Sequence, residues 1–123
     1  MPATSPRDPA ALLPLKPDVF WILAVLARGE LHGYGILQEA ERLSDGLVQL
    51  RPGPLYRRLG RLLDDGLVEE VDERPVAAEG HDDRRRYYRI TAFGAQVARA
   101  ETERMAHALA MARQAGLGPG RGR

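Results

Sequence analysis

Four arginines stand between Arg51 and Arg61 with no acid among them, and two of these, Arg57 and Arg61, are four residues apart. On a helix that spacing puts both guanidiniums on one face, one turn apart. Guanidiniums so placed can donate to guanine edges or to phosphates, and a helix with donors on its outer face fits a major groove. Tyr56 and Arg58 flank the pair, Arg51 precedes it, and Gly60 leaves room for close backbone approach. A second basic run, Arg84-Arg85-Arg86 followed by Arg89, again encloses no acid. Beside a helix seated in the groove, such a run faces the phosphate backbone or the minor groove.

Covalent and metal chemistry find little here. Cysteine is absent, which excludes disulfides, thiolate zinc sites and cysteine nucleophiles. His32, His81 and His107 have no ligand spacing. There is no Ser, His and Asp constellation, no phosphate-cradling glycine loop and no paired carboxylate set, so no catalytic residue, metal site or cofactor is expected. His32 reads as a residue fixing the backbone before a helix, and Tyr34 as packing.

The basic residues need elements to hold them, and the chain of 123 residues allows one domain with a modest core. A hydrophobic fraction of 44% and a charged fraction of 28% are ordinary for a globular protein. The longest apolar run, Val19 to Ala27, is about half of what a membrane span requires, and no secretory leader is visible. A cytoplasmic location is expected. The net charge of +1 argues for no partner, whereas the two basic islands do. All but one of the 18 basic residues are arginine, which genome base composition can explain; it cannot explain the clustering.

Residues 1–15 carry four prolines without periodicity and read as a flexible arm, and 116–123 as a disordered tail. Between them, residues 16–91 read as a winged helix-turn-helix domain and 92–115 as a C-terminal dimerisation helix. A first helix is expected from Pro17 to Arg28, a tight turn over Gly29 to Gly33, and a second helix from Tyr34 to Leu43. Leu47 to Leu50 suits a minimal strand. A third helix is predicted from Pro54 to Asp65, with Leu55, Leu59, Leu62 and Leu63 inward and Arg57, Arg61 and Asp64 outward. Strands over Leu67–Asp72 and Arg86–Thr91 enclose a loop of 13 residues, Glu73 to Arg85, which is long for a hairpin. In this wing Tyr87 and Tyr88 alternate, so one should pack on the third helix and the other be exposed. Thr91 can cap the last helix. The fold is mainly α with a small β-hairpin wing.

The first helix is apolar nearly all round, which requires cover on more than one side. On the last helix Val97, Glu101, Met105, Ala108, Leu109 and Ala112 form a narrow, alanine-rich stripe that needs another surface. Phe20, Trp21 and Ala24 of a second copy offer one, giving a two-fold dimer that reads a pseudo-palindromic operator in double-stranded DNA. Docking of the last helix on its own domain is the alternative. The alternatives to a DNA-reading surface are an amphipathic helix with a solvated arginine face and, for the wing run, a solubilising loop.

Several segments in order resemble one family. His32-Gly33-Tyr34-Gly35-Ile36, Gly53-Pro54-Leu55-Tyr56-Arg57-Arg58-Leu59, Asp65-Gly66-Leu67-Val68 and Arg85-Arg86-Tyr87-Tyr88-Arg89-Ile90-Thr91 with Gly94 are similar to the PadR family of bacterial transcriptional regulators. The resemblance covers about Val19 to Arg104. It implies a dimeric winged-helix protein that usually represses transcription, of the type with one C-terminal helix packed on the partner subunit. Tyr56 matches the family's tyrosine. Pro54 stands where the family usually has Thr or Ser, so a hydroxyl cap and its phosphate contact are missing. The expected function is a dimeric, sequence-specific regulator released by a small-molecule inducer or another signal. The alternative is a winged-helix interaction module whose basic face serves an acidic protein.

Overall fold

The computed structural model describes residues 7–75 and 84–118. The chain forms α1 (Pro17–Leu26), a two-residue strand β1 (Leu31–His32), α2 (Gly33–Leu43), α3 (Pro52–Asp64), β2 (Val68–Pro75), β3 (Arg84–Ile90) and α4 (Ala92–Gln114). The strands make one antiparallel sheet in the order β1-β3-β2. Four helices and the sheet enclose a single core. Ile22, Leu23, Val25 and Leu26 of α1 meet Ile36 and Ala40 of α2, Leu55, Leu59 and Leu62 of α3, and Val68, Tyr88 and Val97 from the later elements.

Helix ends follow from local chemistry. At the start of α2 the His32 Nδ1 accepts from the Gly35 N–H at 3.0 Å, so His32 fixes this turn as an N-cap. Asp45, with a φ of 55°, reverses the chain after α2. At the end of α3 Gly66 adopts a φ of 77°, and the Leu67 N–H donates back to the Leu62 carbonyl at 2.9 Å. The helix α3 begins at Pro52, two residues before the expected Pro54. Both prolines lie in the first turn, where no intrahelical N–H bond is lost, and Arg51 supplies no side-chain cap.

Four expectations need correction. The link Gly29 to Gly33 is not only a turn: Leu31 pairs with Tyr88 and His32 with Tyr87, adding β1 to the wing. Leu47 to Leu50 forms no strand. Leu47 is 89% exposed, while the Val48 N–H donates to Ser44 Oγ and both Val48 and Leu50 lean on the core. Without a partner strand, such a segment has no ladder to join.

The third correction is the N-terminal arm. Its first six residues and the tail's last five lie outside the described part, but Pro9–Leu12 forms a 3-10 turn capped by Asp8. Leu12, Leu13 and Leu15 pack on the core, and the Arg7 guanidinium lies 4.2 Å from the Phe93 ring centroid while donating to the Asp65 carbonyl. Residues 7–16 are thus a strap that crosses from α3 to α4. Its apolar side chains follow no α-helical period because the strap holds only one short 3-10 turn and lies across two helices.

The fourth concerns α4. Val97 is completely buried in the chain's own core, so it belongs to no free interface. Glu101 is 2% exposed and also faces inward, accepting from the Leu15 N–H at 3.2 Å and from Arg104 at 2.6 and 2.9 Å. The first turns of α4 therefore dock on α1 and the strap. Beyond Glu101, nearly every residue through Leu117 is exposed. The wing pairs Val68 with Ile90 through Val71 with Tyr87, then shifts register before Arg74 pairs with Arg85. Residues 76–83, most of the expected loop, lie outside the described part.

Candidate nucleic-acid interface

On α3 the leucines and arginines separate as the 3.6-residue period requires. Leu55, Leu59 and Leu62 are buried, whereas Arg57, Arg61 and Asp64 are exposed and Gly60 lies between them with open space at its Cα. Neither Arg57 nor Arg61 has an ion-pair or hydrogen-bond partner among the described residues. Arg57 Nη1 folds back along the helix, 3.9 Å from where a Cβ on Gly53 would stand. Arg51, just before the helix, is exposed as well. Among the described residues this leaves three cations without acid partners around one helix surface.

Arg58 behaves differently. Its Nε donates to Asp18 Oδ2 at 2.8 Å, with the side chains 37% and 28% exposed, so it ties α3 to the first turn of α1. Arg58, expected among the DNA-facing residues, is thus engaged in a bridge between two helices. Asp18 Oδ1 is buried with no partner, which makes this pairing more costly to lose. Sequence spacing did not show Asp18 as the mate, since 40 residues separate the two.

Tyr56 is 52% exposed, yet its ring lies against α2. A Cβ on Gly33 would meet the Tyr56 hydroxyl oxygen at 2.1 Å. Gly33 is therefore the seat for this tyrosine, holding its hydroxyl beside the N-terminus of α2. Two motifs that read as separate in sequence are halves of one contact. Tyr34, expected to pack, is instead exposed next to this seat.

In the wing, His32 and Tyr87 meet edge to face at 5.3 Å, and Tyr88 is buried in the core. Neither tyrosine is free: Tyr87 lies against its cross-strand neighbour His32 on one face of the sheet, and Tyr88 faces the helical core on the other. Arg86 contacts Glu70 at 3.3 Å, and Arg89 contacts Glu69 at 2.6 Å and Glu30 at 3.7 Å. The bond to Glu69 raises the Arg89 guanidinium above its ordinary value. Acids of β2 and of the segment before β1 thus pair with two of the arginines in that run, Arg86 and Arg89. The backbones of Arg84 and Arg85 belong to β3, while their side chains lie outside the described part.

The residues expected to meet a second copy are only partly available. Phe20 and Ala24 are half-buried, with Phe20 edge-on to Trp21 at 6.3 Å, and Trp21 packs on the core. Met105, Ala108 and Leu109 are exposed and Ala112 is half-buried. These form the uncovered half of α4, whereas Val97 does not.

Comparison with known proteins places this geometry. The model of the transcriptional regulator PadR-like family matches residues 22–100. No curated protein matches the chain in sequence. Among solved structures, a transcriptional regulator from Clostridium thermocellum is 25% identical, with a TM-score of 0.65 over 79% of this chain and 87% of that one. A PadR-like regulator from Bacillus cereus is 19% identical, with a TM-score of 0.66 over 82% and 92%. The PadR of Bacillus subtilis, solved in complex with operator DNA, is 23% identical, with a TM-score of 0.57 over 67% of this chain and 44% of that one.

Proposed function

We infer the function from one premise: the chain belongs to the PadR-like family of transcriptional regulators, and it is a regulator rather than an enzyme. On that premise it is a dimeric, sequence-specific DNA-binding protein that represses transcription until a small molecule or another signal releases it. The observation that carries the DNA-binding part is the pair Arg57 and Arg61, exposed, one turn apart and without acid partners among the described residues, on a helix held from behind by Leu55, Leu59 and Leu62. Guanidiniums in this state are free to take guanine edges and phosphates.

The similar PadR of Bacillus subtilis was solved bound to operator DNA, which supports the same use of this fold here. Arg51 and Tyr56 add backbone contacts at the start of the helix. Arg86 enters the interface by exchanging Glu70 for phosphate, and Arg84 and Arg85 extend that edge. Arg58 is held back for Asp18. A two-fold dimer built on the uncovered half of α4 would present two α3 helices to half-sites about one DNA turn, roughly 34 Å, apart. Action on chromosomal DNA assigns the protein to the cytoplasm.

The test is selection of bound genomic fragments followed by salt titration on the best fragment. Affinity should fall log-linearly with salt, and removing a phosphate-contacting arginine should lower the slope by about one. Arg57→Ala with Arg61→Ala should fold normally and lose preference over competitor DNA. Retained preference would remove α3 from the reading role, and tight binding to acidic protein but not DNA would favour the interaction-module reading.

A further inference from the structure

A half-open groove of about 640 Å³ separates the N-terminal strap from α3. Its floor is apolar, formed by Leu12 and Leu15 of the strap, Val19 of α1 and Leu62 of α3. Its rim carries Lys16, Arg57 and Arg61, none of them paired with an acid among the described residues. Among the described residues Asp65 is the one rim acid without an ion-pair partner, and Asp18 and Arg58 neutralise each other nearby. The volume lies in the range of small-molecule sites, roughly 300–1,000 Å³. An apolar floor beneath an excess of unpaired cations suits an apolar body with one anionic head. A small hydrated anion would leave the leucine floor uncovered, and a neutral hydrocarbon would leave the cations unanswered.

We propose that this groove binds an apolar carboxylate whose head engages Arg57 and Arg61 and thereby withholds both arginines from DNA. The proposal rests on the assignment of α3 as the DNA reader. It also names a chemical class and a place for the releasing signal, close to the reading helix. One guanidinium pair cannot satisfy a bidentate carboxylate and a base edge together, so ligand and operator exclude each other. Coupling then needs no long-range rearrangement, only competition for the same donors.

The probe is decanoate below its micelle concentration, titrated calorimetrically into the full chain, with decanol and inorganic phosphate as controls. Decanoate should bind about tenfold or more tightly than either control and displace the selected DNA fragment competitively. Leu12→Trp, which fills the floor, should weaken decanoate about tenfold or more while leaving DNA affinity nearly unchanged. Lys16→Glu, which reverses one rim charge on an exposed side chain, should weaken decanoate as much while keeping the preference for operator over competitor DNA. Unaltered decanoate binding in both variants, or no binding to the parent chain, would overturn the groove site. A ternary complex of decanoate and DNA would overturn the competition. If Arg57→Ala with Arg61→Ala loses decanoate but keeps operator preference, the carboxylate site stands and the α3 reading falls.

Discussion

Three residue pairs carry most of the local design. Gly33 and Gly94 both lack a Cβ because another group fills the space, but what fills it differs. At Gly94 an added Cβ would stand 2.1 Å from the Leu67 carbonyl oxygen, where β2 begins beneath α4. Backbone cannot retreat there, so Gly94→Ala should destabilise the fold by about 3 kcal/mol, the upper end of overpacking, in chemical denaturation. At Gly33 the obstacle is the half-exposed Tyr56 ring, which can swing away. Gly33→Ala should therefore change stability by less than about 1 kcal/mol, since alanine is also the better helix former, yet weaken DNA binding by displacing the hydroxyl. The third pair is Arg58 with Asp18. Because this bridge is partly exposed, Arg58→Ala should cost about 1 kcal/mol and spare operator preference, unlike Arg57→Ala. Loss of preference in Arg58→Ala with unchanged stability would contradict the bridge. Leucine and arginine positions on α3 could be read from the period alone, whereas Asp18, Gly33 and Tyr56 find one another only through the fold.

Among the elements, the strap is the one whose role changed most. It joins the end of α3 to α4 through Arg7, Phe93, Leu15 and Glu101. The hydrogen bonds from Arg104 chiefly, with help from the Leu15 N–H, hold the Glu101 carboxyl below its ordinary value against the opposing effect of burial. Its stabilising contribution is then complete above the ordinary glutamate range and disappears as pH falls through the lowered native value. Denaturation measured between about pH 6 and pH 3 should show this acid-side loss in the parent chain and a reduced one in Glu101→Gln. Equal pH slopes in the two proteins would mean that Glu101 does not anchor the strap. The wing changed as well: Glu69, Glu70 and Glu30 face its arginines, so phosphate grip there must compete with internal pairs. These acids were visible in the sequence, but only the antiparallel register set Glu69 opposite Arg89.

For the whole molecule, the half of α4 beyond Glu101 is a helix without a neighbour among the described residues of its own chain. Met105, Leu109 and Met111 are exposed along it, and Leu117 follows. A lone helical extension of this length is marginal in water, which is the physical case for cover by a second copy. Met105→Glu with Leu109→Glu should shift the protein to monomer in sedimentation and abolish tight binding to a two-half-site fragment, while the monomer remains folded. An unaltered dimer would move the interface elsewhere, with Phe20 and Ala24 of α1 as the next apolar surface. No helix among the described residues is long and apolar enough to cross a membrane.

What the sequence alone determined was everything governed by local periodicity and punctuation. The order of helices and wing, the leucine face, the pair Arg57 and Arg61, the Gly66 stop and the His32 turn all follow from neighbours within a few residues. Tertiary structure decided what depends on distant partners: the strand at Leu31 and His32, the docking of the strap, the burial of Val97 and Glu101, and which arginines remain unpaired. The reason is that a side chain's helical face is set by its neighbours along the chain. Whether its charge is free depends on groups brought near by folding, as Asp18 reaches Arg58 and Glu69 reaches Arg89.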